Sequence, residues 1–348
     1  MSVPRNTKDS IASTWRQKDR SEWNFFHWMY EIFRLHPVDL DKNIPVHLKA
    51  DKVPYLNDWY QHRWIILHAF APIVLHHMYY VYTGRNFTAW QAAGFYSIAM
   101  KLNAIRELHI LRQLGEQTGF LDGDAHERDG VPDHSVFKVF RSLVSTSTIR
   151  PIFTIFLAYK VTKLPSSMHL HLLPLETGLY AIVLDFWFYW YHRFMHTVEG
   201  LWKYHRTHHL TKHPNPLLTL YADTEQEIFD IAGIPLLAYF TMKLLGFPMD
   251  FYEWWVCHQY IVFAELAGHS GLRIAATPPN PFNWFLRLFS AELIIEDHDL
   301  HHRKGWKNSA NYGKQTRLWD RVFGTCRDRI ECRDDNIDFD NEVKFPIF

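Results

Sequence analysis

The sequence predicts an all-α fold, a bundle of helices embedded in a membrane, on three observations. Six apolar runs punctuate the chain, aromatic residues crowd the ends of several runs, and prolines and glycines gather only in short connectors such as 278–281. With 47% hydrophobic and 16% aromatic residues among 348, the chain can bury a large core as one domain. Its 37 basic residues balance 37 acidic ones, which excludes a polybasic nucleic-acid binder, so no nucleic acid is expected as a partner. Cys257, Cys326 and Cys332 form no CxxC pair and no framework spacing, and free thiols facing a reducing compartment are expected.

In chain order, residues 1–63 form a polar N-terminal region without a basic stretch followed by an apolar one, so no secretory signal is read there. Residues 64–327 are read as the membrane-embedded domain, and 328–348, with alternating charge signs, as a charged, solvated C-terminal tail. The first run, Trp64–Tyr82, approaches the ~20 residues a helix needs to cross ~30 Å of hydrocarbon, although it carries His68, Pro72, His76 and His77. Runs 89–105, 143–161 (interrupted by Arg150), 175–191, 228–247 and 254–268 follow. None is a clean apolar twenty-mer and the mean hydropathy is −0.23, so buried core helices of a soluble protein are the competing reading. Favouring the membrane are Tyr79, Tyr80 and Tyr82, then Trp187, Tyr189, Trp190 and Tyr191, then Trp254 and Trp255, which read as interfacial belts. Threading the runs as three hairpins from a cytosolic N-terminus places 106–140, 192–227 and 269–348 on one side.

That side receives three histidine boxes: HRFMH at 192–196, HRTHH at 205–209 and HDLHH at 298–302. On a helix, positions i, i+3 and i+4 share a face, so His192 with His196, and His205 with His208 and His209, can aim several imidazoles at one point. The chain holds 23 histidines. At that frequency an HxxxH pair arises by chance roughly once or twice per chain, but an HxxHH triple only about 0.1 times, and two triples are the strong signal. The eight clustered histidines, His192, His196, His205, His208, His209, His298, His301 and His302, exceed what one ion takes, so two metals are implied. Neutral imidazole suits iron, copper, nickel and zinc alike. Nitrogen ligands with vacant positions for O2 make iron the working choice, while zinc binds well enough to be found in a purified sample.

These boxes, followed by Asn311-Tyr312-Gly313 and Trp319-Asp320-Arg321-Val322-Phe323-Gly324-Thr325, resemble the fatty acid hydroxylase superfamily over roughly residues 175–327. His269 in His269-Ser270-Gly271 resembles the lone family histidine before the last box, and Asp185 sits where many relatives carry an acidic residue. The resemblance implies a helical membrane protein of the endoplasmic reticulum, multi-pass, with a cytosol-facing histidine-rich di-metal site. It implies two irons held by His192, His196, His205, His208, His209, His269, His298, His301 and His302. It also implies O2-dependent hydroxylation or desaturation of a lipophilic substrate such as a sterol, sphingoid base, fatty acyl chain, or terpenoid or polyketide intermediate, with electrons from cytochrome b5 and its reductase. Many relatives have histidine and proline after the second box, where this chain has Asp223; it can serve as an oxygen ligand or, with Gln226, as a capping box.

The remaining residues have plainer readings. Glu296 and Asp297 can orient the last box by accepting imidazole N–H groups, or stand as solvated charges. His258 is expected in the core or at the site, His213 in a loop before Pro214 and Pro216, and His68, His76 and His77 in packing, since haem ligation specifies a partner that is not evident. Asp320 and Arg321 suit a structural clasp. Asn86-Phe87-Thr88 is a glycosylation sequon held too near the expected bilayer for use. Two rival functions stay open: a zinc hydrolase or redox-neutral aldehyde-cleaving enzyme on the same scaffold, and a non-catalytic haem- or zinc-binding membrane protein. A metalloprotease would need HExxH, which is missing.

Overall fold

In the computed structural model, which describes residues 9–125 and 127–347, each of the six apolar runs falls on a helix. The first eight residues of the polar N-terminal region and Phe348 of the tail lie outside the described residues. Helix α1 (Phe25–Ile32) starts at Asn24, whose side chain accepts from the Phe26 and His27 N–H groups. The long helices are α2 (Asp58–Thr83), α3 (Ala89–Thr118), α4 (Val136–Ala158) and α5 (Leu173–Thr197). A short α6 (Glu199–His205) comes next, then α7 (Thr224–Ile228), a π-helical turn at Phe229–Gly233, and α8 (Ile234–Leu244). The chain continues through α9 (Phe251–Gly268), α10 (Asn283–Leu288), α11 (Ile295–Lys304) and α12 (Leu318–Val322).

Helix α9 is the axis of the bundle. All of its residues except Val262 are buried, because α2, α3, α4 and α5 pack around it. Trp254 and Trp255 therefore belong to the core and form no interfacial belt. Their indole N–H groups are satisfied internally, by the Tyr180 hydroxyl and the Ala69 carbonyl, each at 2.9 Å. Tyr189 is likewise buried, whereas Tyr82 at the end of α2 is 92% exposed. The charge that interrupts the third run, Arg150, is buried against Glu265 of α9 at 3.2 Å. Among the described residues one helix, α2, is long and apolar enough to cross a membrane. Large apolar side chains nevertheless remain exposed along α2, α4 and α8, including Leu75, Val81, Phe156, Leu237 and Phe240.

Two features depart from the expected all-α chain with a solvated tail. Strands β1 (Val53–Leu56), β2 (Ala275–Ala276) and β3 (Ile337–Val343) form a small parallel sheet in the order β2-β1-β3. Pro54 is tolerated in the middle strand because the register shifts between Pro54 and Tyr55. The tail is pinned by burial: Cys332 and Phe345 join the core, and Glu331 pairs with Arg273 at 2.8 Å, both side chains being shut off from solvent. Arg273 also donates to the Asp51 and Lys52 carbonyls, so N-terminal region, post-α9 loop and tail close into one unit. Asn86 of the sequon is engaged as well, donating to the Val161 and Lys163 carbonyls.

Phe345 fills a buried slot against Trp64 and Phe263. Phe345→Ala is therefore expected to cost about 3–5 kcal/mol in thermal unfolding, whereas Phe339→Ala on the exposed side of β3 costs about 0.5 kcal/mol or less. Equal effects of the two substitutions would contradict the packed tail.

Candidate metal centre

Three local structures deliver the histidines. The first box ends α5, with His192 and His196 one turn apart on its inner face. The second box is broken: α6 stops at His205 and a 3-10 turn, His208–Leu210, carries the next two rings. The third lies on α11, which Gly305 ends with φ 68°, a left-handed value that favours glycine. His269 caps the C-terminus of α9.

The nine imidazoles gather around two points. His192, His196, His205, His209 and His301 form one cluster, His208, His269, His298 and His302 the other, and within each the ligand atoms lie within 4.8 Å of one another. All nine are buried. The expectation that His205, His208 and His209 aim at one point is corrected: the second box feeds both clusters, and so does the third. On α11, His301 and His302 are about 100° apart around the axis, so they face different centres, while His298 and His302 share a face. The clusters adjoin, with His209 stacked on His302 at a centroid distance of 4.8 Å.

The donor chemistry fits metal ions. Nδ1 of His192, His196, His269, His301 and His302 donates to the carbonyls of Tyr312, Trp306, Glu265, Ala310 and Thr211 at 2.7–3.2 Å. That fixes the neutral tautomer with an unprotonated Nε2 inside. In the first cluster His209 Nε2 stands 3.1 Å from His196 Nε2, 3.0 Å from His205 Nε2 and 3.1 Å from His301 Nε2. In the second, His298 Nε2 and His269 Nε2 are 3.0 Å apart. Lone pairs facing at such spacings repel unless a cation lies between them, and these separations suit an edge of a coordination shell with bonds of about 2.1 Å. His192 Nε2 and His302 Nε2 are buried without partners. Burial drives every ring toward its neutral form: His196 is pushed down to about 4, His302 to about 3, and the other seven well below the ordinary histidine range.

Comparison with known proteins assigns this stretch of chain to a family. The fatty acid hydroxylase family model matches residues 177–325, which include all nine histidines. The chain is similar to Fatty acid hydroxylase vlmA of Lecanicillium sp, with 44% identity over 308 residues, 84% of this chain and 84% of the relative. The chain belongs to the fatty acid hydroxylase family. Weaker similarities, confined to about half of the chain, join this family member to lipid oxygenases and decarbonylases. Very-long-chain aldehyde decarbonylase GL1-11 of Oryza sativa is 31% identical over 178 residues, 49% of this chain and 60% of the relative. Methylsterol monooxygenase 2-1 of Arabidopsis thaliana is 30% identical over 159 residues, 42% of this chain and 53% of the relative. No solved structure matches the chain.

Within the family domain, the four carboxylates expected near the ligands do other work. Asp185 accepts from the Lys314, Gln315 and Thr316 N–H groups and the Thr316 hydroxyl at 2.7–3.1 Å. From the opposite side Asp320 accepts from the Tyr312 and Gly313 N–H groups and the Thr325 hydroxyl at 2.6–2.8 Å, while burial pushes its carboxyl up to about 7. The two acids clasp loop 311–316 so closely that a Cβ at Gly313 would meet the Thr316 carbonyl at 2.4 Å and both carboxylates at 3.0–3.2 Å. The clasped loop presents the Tyr312 carbonyl to His192. Glu296 holds the N–H groups of residues 330–332, and Asp297 pairs with Arg329 at 2.8 Å. Neither orients an imidazole: Asp297 is engaged by Arg329 and the Ile294 N–H, Glu296 by the tail amides, and His301, one turn after Asp297, bonds the Ala310 carbonyl instead. Asp223 opens α7 without a side-chain cap and lies outside both clusters, bonded to Lys138 and Thr207 at 2.8 Å. Gln226, expected to cap with it, turns inward to His205 instead.

Among the described residues, no other histidine joins the clusters. His76 is held by Tyr96 and Asn86, and His258 lies between Thr154 and Tyr180. His68 bonds the Trp64 carbonyl, and His213 reaches Asp122 from a loop. The orienting carbonyls carry no residue signature, which is why sequence reading passes over them.

Asp320→Asn replaces an acceptor by a donor among N–H groups. It is expected to lower stability by about 1–3 kcal/mol and metal affinity by about 10–100-fold, measured by thermal unfolding and chelator competition. Unchanged metal affinity would separate the clasp from the histidines.

Proposed function

We propose that this chain is a membrane-bound, O2-dependent non-haem di-iron oxygenase that hydroxylates or desaturates a lipophilic substrate. The observation that carries this reading is the pair of adjoining clusters of neutral imidazoles with inward lone pairs, in a family whose members bear the names hydroxylase and monooxygenase. His192, His196, His205, His209 and His301 would hold one ion, and His208, His269, His298 and His302 the other. Bound there, a redox metal pair supplies the activation of O2 with two external electrons. The protein's own part is positioning and exclusion of water. Main-chain carbonyls lock the rings, while Phe188, Trp202 and Tyr312 pack against them with centroids 5.0–5.7 Å away. No general base or nucleophile is required, in keeping with the absence of an HExxH glutamate from the boxes.

The exposed apolar residues of α2, α4 and α8 support a bilayer location and a substrate arriving from lipid. We place the enzyme in the endoplasmic reticulum membrane with its clusters toward the cytosol, taking electrons from cytochrome b5 and its reductase. The likeness to an aldehyde decarbonylase favours a second reading, redox-neutral cleavage of an aldehyde on the same scaffold. The hydroxylase carries more weight because its match runs over 84% of the chain.

His208→Ala and His301→Ala, one from each cluster, are expected to abolish oxidation of substrate while the protein stays in the membrane fraction. Purified protein should hold two non-haem irons without a Soret band, and label from 18O2 should enter a hydroxylated product. Retained turnover in either variant, or activity with zinc alone, would overturn the assignment. Carbonate extraction should leave the chain with membranes; release to the supernatant would instead favour a soluble enzyme.

A further inference from the structure

Five of the imidazoles are oriented by main-chain carbonyls, but His205 is set by a side chain. Gln226 is buried, and its Oε1 accepts from His205 Nδ1 at 3.0 Å while its Nε2 donates to Asp230 Oδ2 at 3.2 Å. Gln226 and Asp230 are four residues apart, hence neighbours on one helical face. Asp230 lies in the π-helical turn Phe229–Gly233. Pro235 comes just after it and has no N–H for the Ile231 carbonyl, a local reason for the helix to widen there. The second oxygen of Asp230 is buried without a partner, and the positive charges it faces are Lys314, from the clasped loop, and Arg150. A buried carboxylate in such a place is costly unless it is bonded and balanced, and its one bond here goes to the amide that holds a ligand.

We propose that Gln226 and Asp230 are positioning residues for one centre only: Asp230 fixes the Gln226 amide, and the amide fixes His205 with Nε2 turned into the five-imidazole cluster. The four-imidazole cluster has no such relay; its partnered outward nitrogens, on His269 and His302, meet carbonyls. An anion one amide removed polarises the His205 N–H and strengthens the ring as a donor, so the two ions are held unequally. The inference rests on the metal-binding reading given above.

The test uses the full chain, depleted of metal and titrated with Co(II), with affinities from chelator competition and the ligand-field spectrum as a second readout. Gln226→Met, nearly isosteric, should weaken one of two sites by about 10–100-fold and leave the other unchanged. Asp230→Leu cuts the relay at its other link and should weaken the same site. Asp230→Asn, which keeps an oxygen for Gln226 but loses the charge, should weaken that site by less than Asp230→Leu and leave the other site unchanged. If Gln226→Met does not fold, the pair Asp230→Leu and Asp230→Asn reads the same relay. Two unaltered sites, equal weakening of both, or Asp230→Asn as damaging as Asp230→Leu overturns the inference. A wild-type chain that binds no Co(II) would fail the metal reading itself.

Discussion

Nine imidazoles without charge, packed side by side away from water, impose the constraint that the rest of the molecule serves. Each ring has to be neutral, since protonation there would put like charges into a buried space, and each must turn its lone pair inward. Left alone, lone pairs 3.0–3.1 Å apart are repulsive. The arrangement persists because the outer face of most rings is anchored to a fixed acceptor. Five of those anchors are carbonyls from three segments, the end of α9, the turn after the second box and the stretch between α11 and α12, and their placement governs how α5, α9 and α11 meet.

That need explains the loop between α11 and α12. Asp185 on α5 and Asp320 on α12 grip its N–H groups from two sides, and Gly313 lets it pass between them. A rigid loop can then hold the Tyr312 carbonyl at 2.8 Å from His192 Nδ1. Glu296 and Asp297 do the equivalent work on the other flank of α11, where they fasten the tail. The carboxylates thus act on the imidazoles through the main chain, which suits a cluster whose own members carry no charge.

The same economy shapes the bundle. Helix α9 is enclosed almost completely, so it can end in an imidazole of the second cluster, His269, with little freedom to move. The small sheet and the Arg273–Glu331 pair close the chain termini against the segment after α9. Breaking one partner of such a buried pair leaves an uncompensated charge, so the closure is costly to undo.

Helix periodicity and histidine spacing are local and survive in one dimension, so the helical class, the six apolar runs and the three boxes are all legible in the amino-acid order. The family likeness added His269, which no spacing singles out. Partition and support, in contrast, belong to the folded chain. His208 and His209, neighbours in one box, serve different clusters because successive residues of the 3-10 turn that carries them point about 120° apart, and the fold sets a cluster on each side. Trp254 and Trp255 lie in the core because four helices surround them. Gln226, with the sequence spacing of a cap, became the partner of His205. Carbonyls, present at every residue, orient the rings only where the fold brings them within reach, and that proximity is a property of long-range packing that no local pattern records.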